Sequence, residues 1–193
     1  MLFAYLNLPK IPDEFISACL ENLKLIGSDP RLIPINEYRG PMNRATFLPT
    51  KVSTWLVKNI VNPYFKTSMP DNNMLLNITR YTNHHPDPTN WGNHGRHVDV
   101  GRNYALNYYF ETGGPDARTL WYHNDEKKPY AKTIIEPKRW ALLKVNPEMH
   151  GVRGIQPNTQ RVFVSMGLLT ENIENFNEEE FFKEIIVKES IIG

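Results

Sequence analysis

"HVDVGRNYALNYYFETGG", residues 97–114, contains the transition on which the fold turns. Its first part is polar and glycine-bearing. From Tyr104 to Phe110 it becomes an apolar and aromatic run, the texture of a strand. Outward from this run, "MLLNITRYT" (74–82), "RTLWYH" (118–123), "AKTIIE" (131–136), "RWALLKV" (139–145) and "RVFVSMGLL" (161–169) share that texture and are separated by Pro, Gly, Asn and Asp. Six such runs within about a hundred residues predict a double-sheet β fold, a sandwich or a barrel.

Helices flank the predicted sheets. A short strand-like start leads into "IPDEFISACLENLKLIG" (11–27), which has proline and acids in its first turn, apolar residues at helical spacing and Gly27 at its close. "PTKVSTWLVKNIVNPYF" (49–65) offers Thr50 as cap, an apolar face of Val52, Trp55, Leu56 and Ile60, and Pro63 as its stop. "NFNEEEFFKEIIVKE" (175–189) reads as a terminal amphipathic helix with Asn177 as cap, acids first and lysines later. The expected architecture is mainly β with flanking helices (α+β) in a single domain spanning 1–193. Its helical part covers about 1–70, its β core about 74–169 and its last helix about 177–189.

Composition narrows the function classes. The chain has 193 residues, 40% of them hydrophobic, enough for one real core. Lys and Arg number 22 against 21 Asp and Glu, so no general charge draws it to nucleic acid or anionic lipid. The single cysteine, Cys19, excludes an intrachain disulfide, fits a reducing compartment and is expected to fill core. With no signal-like start and no apolar run of the ~20 residues a membrane span needs, a cytoplasmic protein is expected.

Three His-x-Asp motifs stand in the sequence, against roughly 0.65 His-x-Asp/Glu matches expected by chance from six histidines and 21 acids in 193 residues. His85-Pro86-Asp87 is bound by prolines in a loop, with no strand to fix its side chains. His123-Asn124-Asp125 runs into the charged turn "EKKPY". His97-Val98-Asp99 alone precedes a long β run and leaves room for several strands before the next candidate, His150. On a strand, residues i and i+2 share a face, so His97 and Asp99 can reach one ion together.

His150 follows the apolar strand "ALLKV". Facing the interior, it would complete a set of two histidines and one carboxylate, which leaves three positions of an iron(II) ion open. A packed or surface histidine with a backbone hydrogen bond is the plain alternative. Arg161 opens the last apolar strand, where burying a guanidinium is costly unless it meets an anion. A structural salt bridge would serve as well as a ligand carboxylate.

In order and spacing, "LLNITRYT", "HVDVGRNYALNYYFETGG", "RTLWY", "EPKRWALLKV", "MHGV" and "RVFVSMGL", roughly residues 74–169, resemble the iron(II)- and 2-oxoglutarate-dependent oxygenases. The resemblance implies a double-stranded β-helix, a cupin-like jelly roll. It implies Fe(II) bound by His97, Asp99 and His150, with 2-oxoglutarate and O2 as cosubstrates and Arg161 gripping the far carboxylate of 2-oxoglutarate. The implied reaction hydroxylates a small-molecule or peptide substrate and releases succinate and CO2. Arg102, Trp121, Arg153 and the loop "NHHPDPTNWGNHGR" (83–96) are candidates for the rim of the site.

One position departs from the family pattern. The Ser or Thr that often stands two residues after the arginine is here Phe163, and the hydroxyl comes at Ser165, about 13 Å along the strand from Arg161. A hydroxyl from another strand is then expected, with Tyr81 and Tyr109 as candidates. If no bulge intervenes, Asn107 and Tyr109 keep the parity of His97 and Asp99 and face the pocket. Two rivals remain in other classes. A cupin-like metal protein would keep the ligands and leave Arg161 without a task, and a non-catalytic β-sandwich binding module would make the motif accidental.

Overall fold

The alternation of side chains along the long strands explains why their sequences show no alternation. The computed structural model describes residues 1–28, 44–65, 77–82, 94–123, 126, 128–156, 159–170 and 176–188. Eleven strands are described, in two antiparallel sheets. They are β1 (Phe3–Leu6), β2 (Arg44–Phe47), β3 (Asn77–Thr82), β4 (His94–His97), β5 (Tyr104–Thr112), β6 (Arg118–Tyr122), β7 (Ala131–Ile134), β8 (Trp140–Lys144), β9 (Met149–Arg153), β10 (Gln160–Leu168) and β11 (Ile186–Lys188). One sheet has the order β11-β1-β8-β5-β10-β3-β2, the other β4-β9-β6-β7.

Two apolar clusters divide these strands by parity. Ala4, Leu6, Tyr104, Leu106, Tyr108, Trp140, Leu142, Val162, Val164 and Met166 pack with helical residues such as Cys19, Leu56, Ile60 and Phe65. Phe3, Tyr5, Ala105, Tyr109, Ala141, Leu143 and Phe163 pack instead with Trp121 and Ala131 of the four-stranded sheet. Even positions of the large sheet therefore meet the helices and odd positions meet the other sheet. A strand buried on both faces reads as a continuous apolar run. Cys19 is fully buried among the helical residues, and burial pushes its thiol up to about 12.

The expected mainly β class with flanking helices holds, and several local readings change. Helix α1 (Asp13–Ser28) starts where the Pro12 carbonyl accepts from Phe15 and Ile16, and it runs through Gly27 rather than closing there. Helix α2 (Thr50–Leu56) has Pro49 as its cap residue: the Pro49 carbonyl accepts from Val52 and Ser53, and Thr50 is the first helical residue. Pro63 does not end the second helical stretch. The chain continues as a π-helix (Val57–Phe65) with Pro63 inside, because the wider winding relieves the clash an α-helix imposes between a proline ring and the carbonyl four residues back.

The predicted terminal helix is shorter than expected. Asn177 caps it, accepting from the Glu180 amide, but α3 covers only Glu178–Phe182. Ile186–Lys188 then pairs as β11 along β1, where a β-branched run finds a strand edge to join. Among the described residues no helix is long and apolar enough to cross a membrane.

Candidate metal centre

His97 and His150 meet because β4 and β9 are adjacent antiparallel strands with these two residues directly opposite each other. Their ring centroids lie 4.4 Å apart. Asp99 reaches them by another route than expected. Strand β4 ends at His97, so the carboxylate is delivered by the turn that follows rather than by strand parity. That turn is tied down at both its backbone groups: the Asp99 amide donates to the Val145 carbonyl at 3.1 Å, and Asn146 Nδ2 donates to the Asp99 carbonyl at 2.9 Å. One potential ligand atom from each of His97, Asp99 and His150 lies within 4.8 Å of the others. The group can therefore hold a metal ion.

The chemistry of the donor set fits that task. His150 Nδ1 lies 3.2 Å from the Glu148 carbonyl oxygen, which can only accept, so the hydrogen sits on Nδ1 and Nε2 keeps its lone pair. Burial, together with the positive charge His97 can carry, lowers the His150 pKa to about 4 against the opposing pull of Asp99. It is therefore neutral, as a ligand must be. Burial works against ionising Asp99, yet the hydrogen bond from His97 and the Arg102 charge prevail and hold its carboxyl well below the usual range. Asp99 Oδ1 is 3.3 Å from His97 Nε2, while Oδ2 takes the Arg102 guanidinium at 2.6–2.7 Å.

The same cavity, about 80 Å³ between the two sheets, is lined by these three residues and by Arg161, Asn107, Tyr109, Thr119 and Ser165. That is well above the ~10–15 Å³ a cavity needs to admit one water, so the site is open to solvent or a small ligand. Arg161 is only 1% exposed. Its Nη2 donates to Thr119 Oγ1 at 2.9 Å, and its guanidinium carbon sits 4.9 Å from the Tyr109 ring centroid. Among the described residues Nε and Nη1 have no hydrogen-bond partner, and neither has Asn107 Oδ1. Among the described residues no carboxylate forms an ion pair with Arg161, so no structural salt bridge among them accounts for its burial.

The remaining expectations sort by contact. Asn107 and Tyr109 do line the cavity, and Asn107 Nδ2 donates to the Tyr109 hydroxyl at 3.0 Å. Their parity with His97 is not the cause, since His97 belongs to the other sheet. Tyr81 stands opposite Arg161 in the β3–β10 register. Among the described side chains the hydroxyl on Arg161 is that of Thr119 of β6, which the sequence reading missed. The signal for it was slight: a Thr at an inward position of "RTLWY". Trp121 is not a rim residue but is fully buried, donating to the Lys144 carbonyl. Arg102 does line the cavity, where it clamps Asp99, and Arg153 is exposed.

His123 stacks on Tyr130 with centroids 4.2 Å apart and takes no part in a ligand group among the described residues. Its partners Asn124 and Asp125, the motif His85-Pro86-Asp87 and most of the 83–96 loop lie outside the described residues. In comparison with known proteins, no family model matches the chain and no curated protein matches it significantly.

Proposed function

We propose that the protein is an Fe(II)- and 2-oxoglutarate-dependent oxygenase that hydroxylates a small-molecule or peptide substrate. The observation that carries this reading is one cavity shared by a two-histidine, one-carboxylate group and a buried arginine, two of whose nitrogens have no partner among the described residues. Such a ligand set suits iron(II) with open positions, and such an arginine suits the planar carboxylate of a bound acid. The strand orders support a double-stranded β-helix: β3, β10, β5 and β8 neighbour one another in one sheet, and β4, β9, β6 and β7 in the other.

Bound there, Fe(II) with 2-oxoglutarate and O2 supplies oxidation of an unactivated C–H bond, with succinate and CO2 as co-products. The chain's own residues have simpler tasks. His97, Asp99 and His150 hold the ion, Arg161 with Thr119 orients the cosubstrate by its distal carboxylate, and Phe163 and Tyr109, with tilted rings 4.9 Å apart, exclude water beside them.

The test is an anaerobic titration. Fe(II)-loaded protein is expected to develop the weak visible charge-transfer band of a chelated 2-oxo acid when 2-oxoglutarate is added, and succinate is expected to bind without producing it. Metal-loaded protein that gives neither band nor heat with 2-oxoglutarate refutes the assignment, and a cupin-like metal protein then describes the site better.

A further inference from the structure

Arg102 makes three directed contacts. Its Nε and Nη2 both reach the same Asp99 oxygen, Oδ2, at 2.7 and 2.6 Å, and its Nη1 donates to Ser165 Oγ at 3.1 Å. Ser165 is 2% exposed. The arginine stem lies along Gly167, where a Cβ would meet Arg102 Cδ at 3.1 Å and Cβ at 3.3 Å, so the bare glycine leaves room for it. Ser165 and Gly167, two residues apart on β10, thus form a seat for one guanidinium.

Nε and Nη2 are neighbouring nitrogens of one guanidinium and approach Oδ2 from one side, so the positive charge of Arg102 rests against that oxygen. A divalent ion bound at Oδ2 would lie close to that guanidinium and be repelled by it. Oδ1, facing His97, has no such claim from Arg102. We propose that Arg102, seated by Ser165 and Gly167, is a positioning residue that confines Asp99 to one metal-facing oxygen, so that the protein offers three donor atoms rather than four. A six-coordinate ion then keeps one more position for ligands than a chelating aspartate would leave. The proposal rests on the metal-site reading of His97, Asp99 and His150. It gives Ser165 a function distinct from carboxylate binding, since its hydroxyl fixes the arginine that fixes the ligand.

Co(II) serves as probe, with affinity measured by calorimetry and coordination read from its visible d–d absorption. Arg102→Met is expected to weaken Co(II) binding ~10–100-fold, the range for losing an outer partner of a metal ligand. It is also expected to change the d–d spectrum, as the released Oδ2 displaces a solvent ligand. Arg102→Lys keeps the charge without the fork and is expected to show the altered spectrum too, and Ser165→Ala a smaller change in the same direction. A Met or Lys variant that matches wild type in both readouts overturns the proposal. If the Arg102 variants do not fold, an unchanged spectrum in Ser165→Ala overturns it. Asp99→Ala separates the two levels: binding lost there but unchanged in Arg102→Met removes only the role of Arg102. Wild type that binds no Co(II), or Asp99→Ala that binds as wild type does, removes the metal site and this proposal with it.

Discussion

Arg161 and Thr119 show what a single residue can and cannot announce. A guanidinium entering a buried strand signals an anion by its type alone, because leaving it unpaired is expensive. A threonine signals little until a neighbouring sheet places Arg161 Nη2 2.9 Å from its oxygen. Arg161→Ala is expected to weaken 2-oxoglutarate binding to metal-loaded protein by ~2–5 kcal/mol, the range for truncating one partner of a buried charge pair, with metal affinity nearly intact. Thr119→Val is expected to cost about 1–3 kcal/mol of the same binding, as befits one hydrogen bond to a charged group. Calorimetry on both variants checks this, and equal cosubstrate affinity in wild type and Arg161→Ala would detach the arginine from the site. His97, Asp99 and His150 were legible for the same reason as Arg161: their side chains carry the chemistry. Arg102 read only as a candidate for the rim, because its role lies in partners three and 63 positions away.

Among the elements, the apolar strands were legible, the short β1, β6, β7 and β8 included, and the polar β4 and β9 were not. "YALNYYF" and "RVFVSMGLL" are apolar on both faces, since helices cover one side of the large sheet and the second sheet covers the other. Strands β4 (HGRH) and β9 (MHGVR) carry the two histidines and have almost no β-forming composition. Pairing with each other and with β6 holds them as strands against their propensity. The terminal helix was overextended because acids at its start and lysines later fit a helix, while an open edge on β1 captured Ile186–Lys188. The turn between β9 and β10 shows how tightly such elements are joined. Gly154 has φ +79°, and a Cβ there would lie 2.3 Å from the Asp116 carbonyl oxygen. Gly154→Ala is expected to destabilise the protein by at least roughly 1–3 kcal/mol, the scale of a strained backbone position, seen as a lower midpoint in denaturant.

At the scale of the whole molecule, folding holds His150 neutral. Its folded pKa of about 4 lies below its ordinary 6.5, so the unfolded chain binds the proton more readily. The stability this contributes is fully present above pH 6.5 and is lost as pH falls through about 4. Metal-free protein is therefore expected to lose up to about 3 kcal/mol across that window. His150→Gln should flatten this part of the pH profile measured by denaturant titration; an unchanged slope would mean that the ring is solvated. A wider consequence comes from where the site's parts are attached. His97, His150 and Thr119 stand on the four-stranded sheet, and Arg161, Asn107 and Tyr109 on the seven-stranded one. A ligand that touches the ion at one end and Arg161 at the other works as a rivet through both plates of the sandwich. Its affinity is then also cohesion between the plates, and whatever loosens the seam between them loosens the grip on the ligand by the same amount of free energy.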